Sequence, residues 1–147
     1  MRALIQRVSS ASVAVDGTVS GEIGEGLLIF LCVMRGDTDK KSSWLASKIA
    51  NLRIFTDESG RLNRSLLDVG GSVLVVSQFT LSAQISGNRP SFSSSASFEE
   101  GKKLYEHFSQ QLTSVCHTVK NGVFGANRQV RLINDGPITI LLDTEIV

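Results

Sequence analysis

The stretch Gly71-Ser72-Val73-Leu74-Val75-Val76-Ser77-Gln78-Phe79-Thr80-Leu81 decides the fold. Its unbroken run Val73-Leu74-Val75-Val76, mostly β-branched, predicts a buried strand. The strand then runs into Ser77, Gln78 and Thr80, two hydroxyls and an amide. A buried strand excludes such groups or pairs them. At a strand end they either cap neighbouring backbone or reach into a cleft, where a rigid sheet holds reactive groups in place. On these residues alone both readings stand.

Upstream of this strand the chain reads as β-structure. Ala3 to Val15 is rich in Val, Ile and Ser, Asp16-Gly17 signals a hairpin, and Thr18 to Ile23 is the return strand. After the break Gly24-Glu25-Gly26, Leu27 to Met34 predicts a more deeply buried strand. A helix capped by Asp37 or Thr38 follows, with Trp44, Leu45, Ile49 and Leu52 at helical spacing and the Lys48 stem covering the edge of the apolar face. Arg53 to Thr56 reads as a short strand, Asp57 to Gly60 as a turn, and Leu62 to Val69 as an irregular connection.

Downstream, Ser82 to Ala96 is a serine-rich, flexible loop, long enough inside a compact domain to suggest a functional role. Ser97 and Glu100 form a capping-box signature. The helix they open carries Phe98, Gly101, Leu104, Tyr105, Phe108, Leu112 and Val115 on one face, read as core packing. Three strands close the chain: Thr118 to Lys120, Val130 to Asn134 and Ile138 to Asp143. This order predicts an α/β fold: a mixed two-sheet, barrel-like β core with two helices packed on one side, in ββα layers. Residues 1–147 are expected to form a single domain.

The totals restrict the function classes. A net charge of +1 gives no global field for nucleic acid, although a local basic patch could bind a short nucleic-acid end. No apolar run approaches the roughly 18 residues of a membrane span, and Gln6-Arg7 interrupts the apolar start too early for a signal peptide. Cys32 and Cys116 lie far apart in apolar surroundings without a C-x-x-C pair, so buried free thiols in a reducing compartment are expected.

The constellations that carry chemistry are few. His107 lies off the apolar stripe of the second helix and reads as solvated; His117 follows that helix. Neither stands in a nucleophile-elbow context with Ser77 or Thr80. No metal-ligand spacing or phosphate-binding glycine loop occurs. A site without an evident general base suits a bond that is already reactive, such as an ester, polarised by backbone N–H groups near Ser77 to Thr80. The second unusual segment is Asn134-Asp135-Gly136-Pro137-Ile138-Thr139. It reads as a hairpin-like turn, or as a fixed backbone presenting carbonyl oxygens. An X-Pro bond is cis in only about 5–6% of folded cases, so the residues alone favour trans.

Ser77-Gln78-Phe79-Thr80-Leu81 and Asn134-Asp135-Gly136-Pro137-Ile138-Thr139 closely resemble, in order and separation, the two signature motifs of the D-aminoacyl-tRNA deacylases, formerly called D-tyrosyl-tRNA deacylases. Met1-Arg2-Ala3-Leu4-Ile5-Gln6-Arg7-Val8, Gly21-Glu22-Ile23-Gly24 and Arg89-Pro90-Ser91-Phe92 are similar to the same family, so the resemblance covers the whole chain. It implies a cytoplasmic homodimer in translation quality control. The enzyme would hydrolyse the ester between a D-amino acid, or glycine mischarged on tRNA-Ala, and the 3′-terminal adenosine of tRNA. The resemblance implies no cofactor, no metal and no membrane.

The resemblance also assigns residues. Ser77, Gln78, Phe79 and Thr80 would line the ester, with the amides of Phe79 and Thr80 on its carbonyl and the tRNA 2′-hydroxyl assisting water. Thr80 matches a residue once considered a nucleophile, but no base stands near it in sequence. Gly136 and Pro137, joined by a cis peptide and inserted into the partner subunit's pocket, would hold the substrate's α-amino group, so that an L side chain meets backbone. Arg7 would steady that segment, and Ala96 and Phe124 would lie near the aminoacyl end. Asn127-Arg128 departs from a family pair that commonly ends in Met, so Arg128 alters the pocket wall or binds phosphate. The loop Ser82 to Asn88 is about one residue short and lacks the usual charges. A Thr-dependent esterase or thioesterase, and a non-catalytic tRNA-end binding module, are the competing expectations.

Overall fold

The computed structural model describes residues 1–146. The chain begins with a long strand β1 (Arg2–Val15), which returns as β2 (Thr18–Ile23) through the predicted Asp16-Gly17 turn and continues into β3 (Gly26–Cys32). Helix α1 (Asp39–Asn51) follows, capped by Thr38, whose hydroxyl accepts from the Lys41 amide. A small hairpin, β4 (Phe55–Thr56) and β5 (Leu62–Arg64), leads into the short helix α2 (Leu66–Val69) and then β6 (Ser72–Ser77). Past a 3₁₀ turn at Phe79–Ser82 come the hairpin β7 (Gln84–Ser86) and β8 (Arg89–Ser91), helix α3 (Phe98–Thr113), β9 (Val119–Asn121) and β10 (Gln129–Asp143).

The main sheet runs β10-β1-β3-β6-β9, with β2 attached to β1. Strands β3, β6 and β9 are mutually parallel, while β1 is antiparallel to its neighbours. Strand β1 serves two partners on one side: Arg2 to Val8 pairs with β3, and Ala11 to Val15 pairs with β2. Through this switch the sheet curls over, bringing β2 against β6 and β9 and nearly closing a barrel. Side-chain alternation then fills two cores. Leu27, Ile29, Leu31, Val73 and Val75 face α1 and α3, whereas Leu28, Leu74 and Val76 face Val8, Ala11, Val13 and Ile23 inside the curl. Burial on both faces explains the uninterrupted apolar runs of β3 and β6. The expected ββα layering with α1 and α3 on one side is present.

Several local expectations are corrected. The connection Leu62 to Val69 contains α2, nucleated by a reciprocal capping box between Ser65 and Asp68. The loop Ser82 to Ala96 is ordered by the β7–β8 hairpin and pinned to the end of β3, since the Ala96 amide donates to the Val33 carbonyl (3.0 Å) and the Arg35 amide to the Ser94 carbonyl (3.0 Å). Val115 lies beyond the end of α3 and is exposed, and Phe98, at its first turn, is 62% exposed. His107 is wedged between helices, its Nδ1 2.9 Å from the hydroxyl of the buried Ser42 on α1.

The largest correction concerns the last strands. Val130 to Asn134 and Ile138 to Asp143 belong to one strand, β10, paired along nearly its whole length with β1. Between the pairs Gln6↔Thr139 and Val8↔Asn134, β1 advances two residues and β10 advances five. The surplus is expelled as a bulge at Asp135–Ile138, so the turn-like residues interrupt the ladder without reversing the chain.

Candidate active site

A cleft of about 460 Å³ opens where β3 and β6 end. Ser77, Gln78 and Phe79 form one wall, Ala96 and Phe98 a second, and Phe124 to Arg128 a third. The wall at Ser77–Phe79 is fixed by backbone. The Gln78 amide donates to the Leu31 carbonyl (2.7 Å), extending the β3–β6 ladder by one bond. The following turn is anchored by Arg2, which donates to the Leu81 carbonyl (2.8 Å) while paired with Asp143 (2.9 Å). The Ser82 hydroxyl closes the turn onto the Phe79 carbonyl (2.7 Å). At the start of such a turn the amides of Phe79 and Thr80 precede the first internal hydrogen bond, that from Leu81 to Gln78.

Aromatic pairs stand on two sides of the cleft. Phe79 meets Phe92 edge-on at 5.3 Å, and Phe98 meets Phe124 edge-on at 5.2 Å. Phe124 is held from behind by Tyr105 at 5.4 Å and lies over Gly101, where an added Cβ would come within 3.2 Å of its ring. Tyr105 in turn donates to the Val75 carbonyl (2.7 Å), and burial pushes its phenol pKa up. Gly125 has φ +76°, and a Cβ there would lie 2.6 Å from Phe98, so glycine meets both a conformational and a steric requirement.

Among the described residues the only ionisable side chains lining the cleft are Arg35 and Arg128. Arg128 donates to the carbonyls of Ser77 and Ala126 and to Gln78 Oε1, and burial lowers its pKa. Gln78 passes the contact on through its amide nitrogen, which donates to Thr80 Oγ1. Cys32 lies beneath this wall, its Sγ 3.6 Å from the Phe79 carbonyl, and burial pushes its pKa up to about 11.

The structure thus brings together Ser77, Gln78, Phe79, Ala96 and Phe124. Thr80 stands one residue beyond the lining, with its hydroxyl engaged by Gln78. Arg7, Gly136 and Pro137 lie elsewhere. Arg7 is paired with Leu27, four residues or about 13 Å along β3 from the cleft residue Leu31. Its Nε donates to the Asp135 carbonyl (3.2 Å) and pairs with the Asp135 carboxylate (3.1 Å), while Nη1 donates to the Ile54 carbonyl (2.8 Å). Asn134 clamps the bulge from its own strand by donating to the carbonyls of Arg7 (3.1 Å) and Ile138 (3.0 Å). The Gly136–Pro137 peptide is cis, and both residues are exposed. Phe98 and Arg35 were not expected at the site. Phe98 follows the cap residue Ser97, where the first turn of α3 projects past the sheet, and position was its only signal in the sequence.

A barrel-like mixed sheet with a cleft beyond the carboxyl ends of its parallel strands, a usual place for a binding site in α/β architecture, makes this an α/β protein. Residues 4–143 match the family model described as D-Tyr-tRNA(Tyr) deacylase, and the chain belongs to that family. It is 58% identical over 144 residues to a D-aminoacyl-tRNA deacylase of Ruegeria pomeroyi, covering 97% of this chain and 99% of that protein. It is 54% identical over 144 residues to one of Pelobacter propionicus, with the same coverage. A solved structure titled c-Myc DNA Unwinding Element Binding Protein superimposes with a TM-score of 0.93 at 40% identity, covering 97% of this chain and 98% of that one. A probable eukaryotic D-amino acid tRNA deacylase, 18% identical, shares the fold with a TM-score of 0.81 over 96% of this chain and 97% of its own.

Proposed function

We propose that this chain hydrolyses the ester joining a D-amino acid, or glycine mischarged on tRNA-Ala, to the 3′-terminal adenosine of tRNA, releasing the free amino acid and intact tRNA. The observation that carries the reading is the composition of the cleft: aromatic walls, backbone amides and two arginines, with no His, Asp, Glu or Lys among its described lining residues. An activated ester needs its carbonyl polarised and its leaving group oriented more than it needs a strong protein base. The Phe79 and Thr80 amides supply the polarisation, and the 2′-hydroxyl of the substrate ribose assists the attacking water. Exposed Phe79 and Phe98 offer faces on which the terminal base can stack. Thr80 orients Gln78 and is not the nucleophile.

Rejection of L-amino acids is assigned to Gly136 and Pro137, acting in the cleft of a second copy. In their own chain they project from the opposite end of the sheet. Strand β10 is an edge strand carrying the exposed apolar residues Ile133 (62%) and Leu141 (60%), which suits pairing with another copy. In this reading residues 1–147 act as one domain within a homodimer, because β1 and β10 tie the two ends of the chain into one sheet. Among the described residues no helix is long and apolar enough to cross a membrane, and the proposed place of action is the cytoplasm, beside the tRNA pool.

The test is release of D-tyrosine from D-Tyr-tRNA with L-Tyr-tRNA spared; equal hydrolysis of the two would remove the chirality assignment. Thr80→Val is expected to keep most of the activity. Complete loss, with an acyl-enzyme trapped on the wild-type protein, would instead establish a Thr-dependent esterase. Unchanged aminoacyl-tRNA under excess protein would leave a binding module.

A further inference from the structure

Arg128 lines the cleft, and its contacts give it a role there. It stands just before β10, and its guanidinium turns back across the cleft wall to the end of β6. One nitrogen, Nη2, donates to both the Ser77 carbonyl and Gln78 Oε1, while Nη1 donates to the Ala126 carbonyl (2.9 Å). Gln78 is therefore held at both ends of its carboxamide, its oxygen by Arg128 and its nitrogen by Thr80. Both ends of the amide are used, and so its orientation is fixed.

The acceptors are all neutral. Ion pairs among the described residues engage the Met1 amino group, Arg2, Arg7 and Lys41, and none engages Arg128. A half-buried guanidinium without a carboxylate partner retains its position through the geometry of its planar fork, which a lysine ammonium cannot reproduce. We propose that Arg128 is a positioning residue for ester hydrolysis: it braces the Ser77 carbonyl and the Gln78 carboxamide, so that the Gln78–Thr80 segment presents a single conformation to the substrate. The proposal rests on the deacylase reading above.

Its test compares the wild-type protein with Arg128→Met and Arg128→Lys on D-Tyr-tRNA. Loss of a charge-assisted brace corresponds to a kcat lower by roughly tenfold or more in Arg128→Met, with KM and the salt dependence of KM unchanged. Arg128→Lys keeps the charge without the fork and recovers little of the loss. An unchanged kcat with a raised KM and a shallower salt slope would overturn the proposal and make Arg128 a contact for the tRNA phosphodiester. A second readout is independent of activity: the side-chain amide signals of Gln78 in a ¹⁵N-resolved spectrum are expected to shift and exchange faster in Arg128→Met. Signals that stay where they are would overturn the brace. If the wild-type protein lacked deacylase activity, the catalytic reading would fall, while a shifted Gln78 signal would still establish the brace.

Discussion

The two ends of the β3–β6 pair are built on opposite terms. At the carboxyl ends, three segments distant in sequence converge on a cleft where Arg128 is bonded to Gln78 and the aromatic rings brace one another. At the other end the Asp135–Ile138 bulge projects into solvent, held mainly by Arg7 and Asn134. The cleft is a receptor without a lid, and the bulge is a rigid projection without a receptor. About 13 Å of sheet separates them within one chain, so rigid strands prevent them from meeting there. The proposed cross-subunit site requires a second copy to turn end to end, so that the bulge of one meets the cleft of the other.

That comparison can be broken most decisively by mixing two damaged chains. Gly125→Val drives a side chain toward Phe98 and is expected to lower activity by about 100-fold through misplacement of the cleft wall. Arg7→Ala releases the bulge. If each site combines one copy's cleft with the other's bulge, the mixed dimer keeps one intact site, and co-refolded chains recover about a quarter of wild-type activity by random assortment. No recovery over the two parents would show that bulge and cleft do not cooperate between copies.

Arg7→Ala alone sharpens the role of the bulge. Arg7 is nearly buried and donates to two carbonyls, and removing a charged donor of this kind costs on the order of 1.5–3 kcal/mol. If that energy positions the bulge, kcat/KM for D-Tyr-tRNA falls by roughly 10- to 100-fold. Steady-state kinetics with a thermal melt will separate this loss from unfolding.

A smaller effect is expected at α2, whose C-terminal end, with Gly70 and Gly71, shares a shallow hollow with Arg7 and Asp135. Ser65→Ala removes the cap and lowers stability by about 1 kcal/mol, read from denaturant unfolding, with kcat unchanged. The smallest effect concerns Cys32 beneath the cleft. With its pKa raised to about 11 by burial, the thiol stays protonated at neutral pH, so iodoacetamide leaves it unmodified and activity is flat with respect to this group from about pH 6 to 9. Fast alkylation of Cys32 at neutral pH would show that the wall at Phe79 opens.

Much of this was legible beforehand. The β-branched run at Val73 to Val76, the Asp16-Gly17 turn and the helix caps at Thr38 and Ser97 are local signals, and each element formed where its signal lay. The errors also have physical causes. Phe98 continues the apolar stripe of α3 yet faces the cleft, because periodicity fixes the face of a helix and not how far the sheet beneath it extends. Asn-Asp-Gly-Pro carries turn chemistry, but pairing of β10 with β1 on both sides of it forces a bulge. Arg128 was conspicuous as a departure, while its partners Ser77 and Gln78 lie about fifty residues away in the chain.

The sequence by itself determined the two long helices, most of the strands and the family, since these rest on local propensity, side-chain period and contiguous residues. Only the tertiary structure decided which polar residues share a wall. It placed Ser77, Phe98, Phe124 and Arg128 around one cleft and set Gly136 and Pro137 apart from it. Such proximity arises from the switch of β1 between two partner strands and the curl it imposes on the sheet, a long-range pairing that no local stretch of residues encodes.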